Sequence, residues 1–182
     1  MPDRPSAPAG APRIETARLV LRGHRVDDFA DSLAMWSDPL VTRHIGGRPS
    51  TAEECWARLL RYFGLWPALG FGYWAIEEKS TGRFVGEAGL ADFRRATEPP
   101  LQWPEAGWAL APAFFGRGYA SEAVSAVLAW ADGQGIGPVC CIIDPANAAS
   151  LRLAAGAGFV RREDVRYRDG STTLHLRENA RR

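Results

Sequence analysis

Two spacings of apolar residues alternate along this chain, a period of two that predicts strands and a period of three to four that predicts helices. Leu19 and Leu21 alternate with Arg18, Val20 and Arg22, a first strand. A helix is predicted from about Val26 to Ser37, ended by Asp38-Pro39, because a proline pushes the residue before it out of helical space. Thr51 and Glu54 stand at capping-box spacing, and Trp56, Leu59, Leu60 and Phe63 then recur at i, i+3, i+4 and i+7 as the apolar face of a second helix. Gly72 to Glu77 and Arg83 to Leu90 read as a hairpin about the turn Ser80-Thr81-Gly82. Ala91 to Trp103, polar and carrying Pro99 and Pro100, reads as a loop.

The second half follows the same logic. A strand at Glu105 to Leu110 precedes a helix from about Ala120 to Asp132, with Ala120, Val124, Val127, Leu128 and Ala131 on one face. A strand at Val139 to Ile143 and a helix from about Ala148 to Ala157 come next. Strands at Val165 to Arg168 and Thr172 to Arg177 flank Asp169-Gly170. This order predicts a mixed α/β (α+β) fold, a mostly antiparallel sheet of about six or seven strands with one parallel crossover and about four helices. Residues 1–12 carry Pro2, Pro5, Pro8 and Pro12 and cannot bury enough apolar area to order themselves, so they read as a tail before a single domain over 13–178.

Composition narrows the function classes. A net charge of +1 gives no global electrostatic reason for nucleic acid or an anionic membrane as partner. Cys55, Cys140 and Cys141 form no CxxC pair and His24, His44 and His175 are scattered, so neither a metal site nor a disulfide framework is expected. Unpaired cysteines, with no secretory signal and no apolar run of about 18 residues, point to the cytoplasm.

The chemistry concentrates in Glu105-Ala-Gly-Trp-Ala-Leu-Ala-Pro-Ala-Phe-Phe-Gly-Arg-Gly-Tyr-Ala-Ser-Glu-Ala123. Gly116 and Gly118, between a strand and a helix N-terminus, let backbone N–H groups converge on an anion such as a pyrophosphate, with Arg117 adding charge at the rim. A tight connection without a ligand would use the same residues. No Lys-Ser/Thr pair closes the loop as in a Walker motif, and Ser121 stands where a dinucleotide fingerprint needs glycine.

The run from Leu110 to Ala120 resembles the acyl-CoA pyrophosphate loop of the GNAT superfamily of N-acyltransferases. Thr16 to Arg22 is similar to the first strand of its RimJ/RimL-type branch, Gly82 to Gly89 to its central hairpin, and Asn147 to Phe159 to its later cofactor-binding helix. The resemblance spans Arg13 to Arg177. It implies that strands 105–110 and 139–143 splay apart around the pantetheine arm of acetyl-CoA. The backbones of Trp108, Ala109 and Leu110 would bond its amides, the N–H groups of Phe115, Gly116, Arg117, Gly118, Tyr119, Ala120 and Ser121 would take the pyrophosphate, and Asn147 would orient the pantetheine. Phe115, where the wider superfamily prefers Arg or Gln, is typical of the branch. Ala154 stands where many members carry an acid tyrosine, which removes that route of thiolate protonation.

Aminolysis of a thioester needs a neutral amine, a stabilised oxyanion and a proton for the thiolate, and no covalent enzyme intermediate. Glu105 is the candidate base and Ser150 the candidate donor to sulfur; the alternatives are a surface ion pair and a backbone-bonded helix serine. Glu87 is a lesser base candidate. Cys140, Cys141 and the histidines read as structural, and Trp103 as a possible neighbour of the acceptor. The expected function is transfer of acetyl from acetyl-CoA to a primary amine, on a protein N-terminus or a small molecule, by a monomer or homodimer; the rival is a non-catalytic acyl-CoA-binding module.

Overall fold

Two short antiparallel strands, β1 (Ile14–Glu15) and β2 (Leu19–Arg22), begin the regular structure in a computed structural model that describes residues 10–168 and 170–179. A 3-10 turn over Val26–Asp28 leads into α1 (Phe29–Trp36), and α2 (Pro39–Thr42) follows as a single turn. Asp38 accepts a hydrogen bond from the Leu40 amide and Pro39 takes the first helical position, so the pair that ends α1 also starts α2. α3 (Ala52–Leu69) starts on reciprocal capping by Thr51 and Glu54 and stops at Gly70, whose φ of 78° is left-handed. Then come β3 (Tyr73–Glu78), β4 (Phe84–Ala91), β5 (Thr97–Glu98), β6 (Glu105–Leu110), α4 (Tyr119–Gly133), β7 (Val139–Ile143), α5 (Ala148–Gly156), β8 (Val160–Tyr167) and β9 (Gly170–Arg177).

The strands described form one sheet in the order β1-β2-β3-β4-β6-β7-β9-β8-β5, antiparallel throughout except at β6 and β7. Its faces are covered differently. Ala123, Val124, Val127, Leu128 and Ala131 of α4 pack with Val85, Leu90, Ala106 and Leu110 on one side. On the other, Met35 and Trp36 of α1 and Cys55 of α3 pack with Ala75, Phe84 and Ala109. The strand alternation thus sends neighbouring β6 side chains to opposite layers. Fully burying the Val, Leu, Met and Phe side chains among these contributes roughly 1.5–3 kcal/mol each.

Several expectations are corrected. Nine strands replace six or seven because β1 and β5 are two-residue strands, and α2 raises the helices to five among the described residues. β5 lies in the expected loop, pairing Thr97 with Tyr167 and Glu98 with Arg166 of β8. β8 starts at Val160, well before Val165, because its first five residues are exposed and so lack an apolar signature. On α3, Leu59 is buried, but Trp56 and Leu60 are 39% and 47% exposed; the buried stripe is Cys55, Leu59, Tyr62 and Trp66. Residues 1–9 of the expected tail, and Asp169 of the last turn, lie outside the described residues. Ala11 packs against the core and the Pro12 carbonyl accepts the Trp74 indole N–H at 2.7 Å, so attachment begins before Arg13. No helix among the described residues is long and apolar enough to cross a membrane.

Candidate active site

β6 is laddered to β4 along its whole length, from Glu105 opposite Ala91 to Leu110 opposite Gly86. Toward β7 it makes one pair, Glu105 with Cys140, secured by the Cys140 amide donating to the Pro104 carbonyl at 2.9 Å. Beyond that pair the strands part. The edge of β6 from Ala106 through Trp108, Ala109 and Leu110 has no ladder partner on that side among the described residues.

The open edge runs into the glycine loop. After a 3-10 turn at Pro112–Phe114, Gly116 and Gly118 take φ of 73° and 75°, left-handed values that side-chain-bearing residues adopt at a cost. Asp38, Thr51 and Asn147 cap α2, α3 and α5 with side-chain oxygens, whereas Gly118 brings none to α4. The amides of Gly116, Arg117, Gly118, Tyr119, Ala120 and Ser121 therefore donate to no described residue, and the helix dipole adds positive potential there. Glycines without Cβ atoms and unsatisfied donors suit a pyrophosphate. Phe115 is half exposed at the rim.

Distant residues hold this loop. Arg18 donates to the Arg117 carbonyl at 2.8 Å and pairs with Glu122 at 2.7 Å, while Glu122 also accepts from the Thr16 hydroxyl at 2.5 Å. The Tyr119 hydroxyl donates to Glu78 at 2.5 Å, and Arg117 lies 3.8 Å from the same carboxylate. Arg18 and Glu78 were not among the expected site residues. Their separation in sequence from the loop left no local signal.

Glu105 sits where β6 and β7 part, buried, and both its oxygens accept from Arg95, at 2.5 and 2.9 Å. Arg95 also donates to the Tyr167 hydroxyl at 2.8 Å, tying the loop before β6 to the last hairpin. Ser150 lies across the gap, its hydroxyl oxygen accepting the Trp108 indole N–H at 3.3 Å, which leaves its proton free to donate elsewhere. Asn147 caps α5 by accepting from the Ser150 amide at 3.1 Å. Glu105, Trp108, Asn147 and Ser150 all line a cleft of about 980 Å³ on the α1–α3 side of the sheet, at the top of the range for small-molecule sites. His44 and Asp144, also in the cleft lining, are bonded at 2.9 Å.

The cleft also holds Tyr62 and Tyr73, which sequence reasoning passed over. Tyr62 and Tyr73 stack with centroids 4.6 Å apart, and burial pushes both phenols well above their ordinary range, keeping them neutral. The Tyr73 hydroxyl occupies the space over Gly107, where a Cβ would come within 2.1 Å of it. A glycine in mid-strand is a sign of such an approach. Glu87 is fully buried, accepting from the Ser32 hydroxyl at 2.8 Å and the Trp36 indole at 2.9 Å, with His24 at 3.7 Å. Burial opposes its charge, but these partners outweigh it and hold the carboxyl below its ordinary range. The Cys140 thiol, pushed up to about 12 by burial, donates to the Trp103 carbonyl at 3.5 Å. Trp103, expected as a neighbour of the acceptor, packs with Cys140, Val165 and Leu174 and is not in the cleft lining.

The acetyltransferase (GNAT) domain model matches residues 18–160. A Bordetella pertussis protein assigned to the GnaT family of acetyltransferases is 34% identical, with a TM-score of 0.78 over 92% of this chain and 99% of that one. The uncharacterized N-acetyltransferase YoaA of Bacillus subtilis is 26% identical over 88% of this chain and 91% of its own. YkkB of the same organism is 32% identical over 53% of this chain, and the match spans about half of its length, 55%. Spermidine N-acetyltransferase from Vibrio cholerae, solved with CoA and spermine, shares the fold at a TM-score of 0.71 and 13% identity, over 90% of this chain and 97% of that one. The chain belongs to the GNAT acetyltransferase family, and with that fold goes acetyl transfer from acetyl-CoA to an amine.

Proposed function

We propose that the protein acetylates the α-amino group of a peptide or protein N-terminus, in the manner of the RimJ/RimL-type branch, with acetyl-CoA lying along the gap between β6 and β7. The observation that carries this reading is the unpaired edge of β6 running directly into an uncapped helix, α4. Backbone groups of Trp108, Ala109 and Leu110 would bond the pantetheine as a strand would. The amides from Gly116 to Ser121 would take the pyrophosphate, the expected Phe115 amide being spent on the Pro112 carbonyl at 3.1 Å, and the Asn147 amide nitrogen, its oxygen already engaged as a cap, would donate to the arm. Acetyl-CoA supplies the activated thioester.

The chain's own groups supply the rest. Each Glu105 oxygen keeps a lone pair after bonding Arg95, enough to receive an ammonium N–H directly or through a water. Ser150, its oxygen engaged by Trp108, turns its proton toward the sulfur. A thiol with an ordinary pKa near 8.5 needs only this modest help. Such a site suits an amine that is already partly neutral: an α-amine titrates near 7.7–8.0, a lysine side chain near 10.4.

Two peptides of one sequence test the acceptor. One is blocked at the N-terminus with a free lysine; the other is unblocked with lysine replaced by arginine. At pH 7.5 mass spectrometry should find acetyl on the unblocked N-terminus at the higher rate. Faster labelling of the blocked peptide would overturn the reading, and labelling of neither would direct the search to small amines.

A further inference from the structure

Six arginines line the cleft against four carboxylates, although the whole chain carries a net charge of only +1. Several arginines are paired: Arg22 with Asp28 at 2.6 Å, Arg177 with Asp132 at 2.6 Å, Arg95 with Glu105 at 2.5 Å. Within the cleft Glu105 is taken by Arg95, Glu54 by Arg48, Asp144 by His44, and Glu87 by Ser32 and Trp36. Arg43, Arg58, Arg61 and Arg168 are left without a carboxylate partner among the described residues.

Three of these lie over aromatic rings, Arg168 over its chain neighbour Tyr167 at 5.2 Å and two on α3. The Arg58 guanidinium lies 3.8 Å from the centroid of Trp36, with one nitrogen 3.5 Å from the Ser50 hydroxyl. Arg61 lies one turn further along α3, 4.9 Å from the centroid of Phe93. A guanidinium on a ring face keeps its N–H edges available, and those edges match a carboxylate or phosphate. Acetyl-CoA does not account for them. Its pyrophosphate loop, residues 112–121, contributes nothing to the cleft lining.

We infer that the acceptor is an anionic amine, its negative group bound by Arg58 and Arg61 while the nitrogen lies toward Glu105. The inference rests on the acetyl-transfer reading, and for a peptide acceptor it places acidic side chains just after the N-terminus. The same charges disfavour cationic polyamines.

Binding is tested apart from turnover, by calorimetry on protein saturated with CoA. N-acetylated tripeptides differing only in Glu or Gln at their second and third residues are compared, alongside an N-acetyl amino acid with a free or an amidated carboxylate. The acidic tripeptide should bind about tenfold tighter or more than the neutral one, as expected of charge-assisted bonds. The advantage should shrink with salt and vanish in Arg58→Ala/Arg61→Ala. Equal affinities in the unmodified protein, or a preference that survives the double substitution, overturn the inference. Discrimination by the free carboxylate alone upholds the anion site and removes the peptide reading, as does tight acidic binding when no unblocked peptide is acetylated.

Discussion

The two ends of the site are built from different materials. On the proposed cofactor side, the donors would be backbone amides on one continuous segment, Trp108 to Ser121, shaped by two glycines and a missing helix cap. On the proposed acceptor side, the walls are side chains from α1, α3, the loop before β6 and the last hairpin, joined by contacts such as the Arg95–Glu105 ion pair and the His44–Asp144 hydrogen bond. A backbone site reads the part of the substrate that never changes. A side-chain site can be rewritten residue by residue without disturbing it, which is how one fold serves many acceptors.

The strongest way to break this contrast is on the backbone side. Gly118→Val forces a β-branched residue into a left-handed φ of 75° and brings a Cβ within 3.4 Å of Arg18, so it should abolish the rise in melting temperature caused by acetyl-CoA. An unmodified protein that shows no such rise would remove the cofactor assignment altogether. On the side-chain side, Glu105→Gln should lower kcat on the order of 100-fold with acetyl-CoA affinity within a few-fold. Ser150→Ala should cost about tenfold, since thiolate is already a fair leaving group. Steady-state kinetics decide both, and wild-type turnover in either variant would strip that residue of its role.

The smallest effect concerns acid stability of the α1 side. Burial opposes the charge on Asp28, but bonds from Arg22 and the Arg25 amide outweigh it and hold its carboxyl below the ordinary range, as Glu87's partners do there. A lowered folded value means stability that is full above about pH 4–5 and is lost as pH falls through that folded value. Urea unfolding between pH 6 and 3 should register a loss on the order of 1–3 kcal/mol. Asp28→Asn should be less stable at neutral pH and show a flatter acid slope; an unchanged slope would assign the acid loss to other groups.

The contrast also decides what the sequence disclosed. β6, β7 and α4 were legible to within a residue, because apolar periodicity and two glycines are local signals. The buried face of α3 was misplaced because Tyr62 and Cys55, which carry polar atoms, occupy its core positions while Trp56 and Leu60 face out. Glu105 could be singled out by its place beside the loop. That both its oxygens are held by Arg95 could not, since the two share no periodic spacing, and the clasp of Arg18 on Arg117 joins residues 99 apart. Contacts that depend on tertiary closure leave no trace in spacing.

The single rung between β6 and β7 has a mechanical consequence. The sheet is two panels, β1 to β6 and β7 to β5, joined in their ladder at Glu105 and Cys140, with side-chain ties such as Arg95 to Tyr167 and Trp108 to Ser150 across the rest. A pantetheine lying in the opening would act as a surrogate strand, supplying the rungs the protein itself omits. Amide hydrogen exchange along Ala106 to Leu110 should then slow when acetyl-CoA binds, because the ligand completes the sheet as well as occupying it.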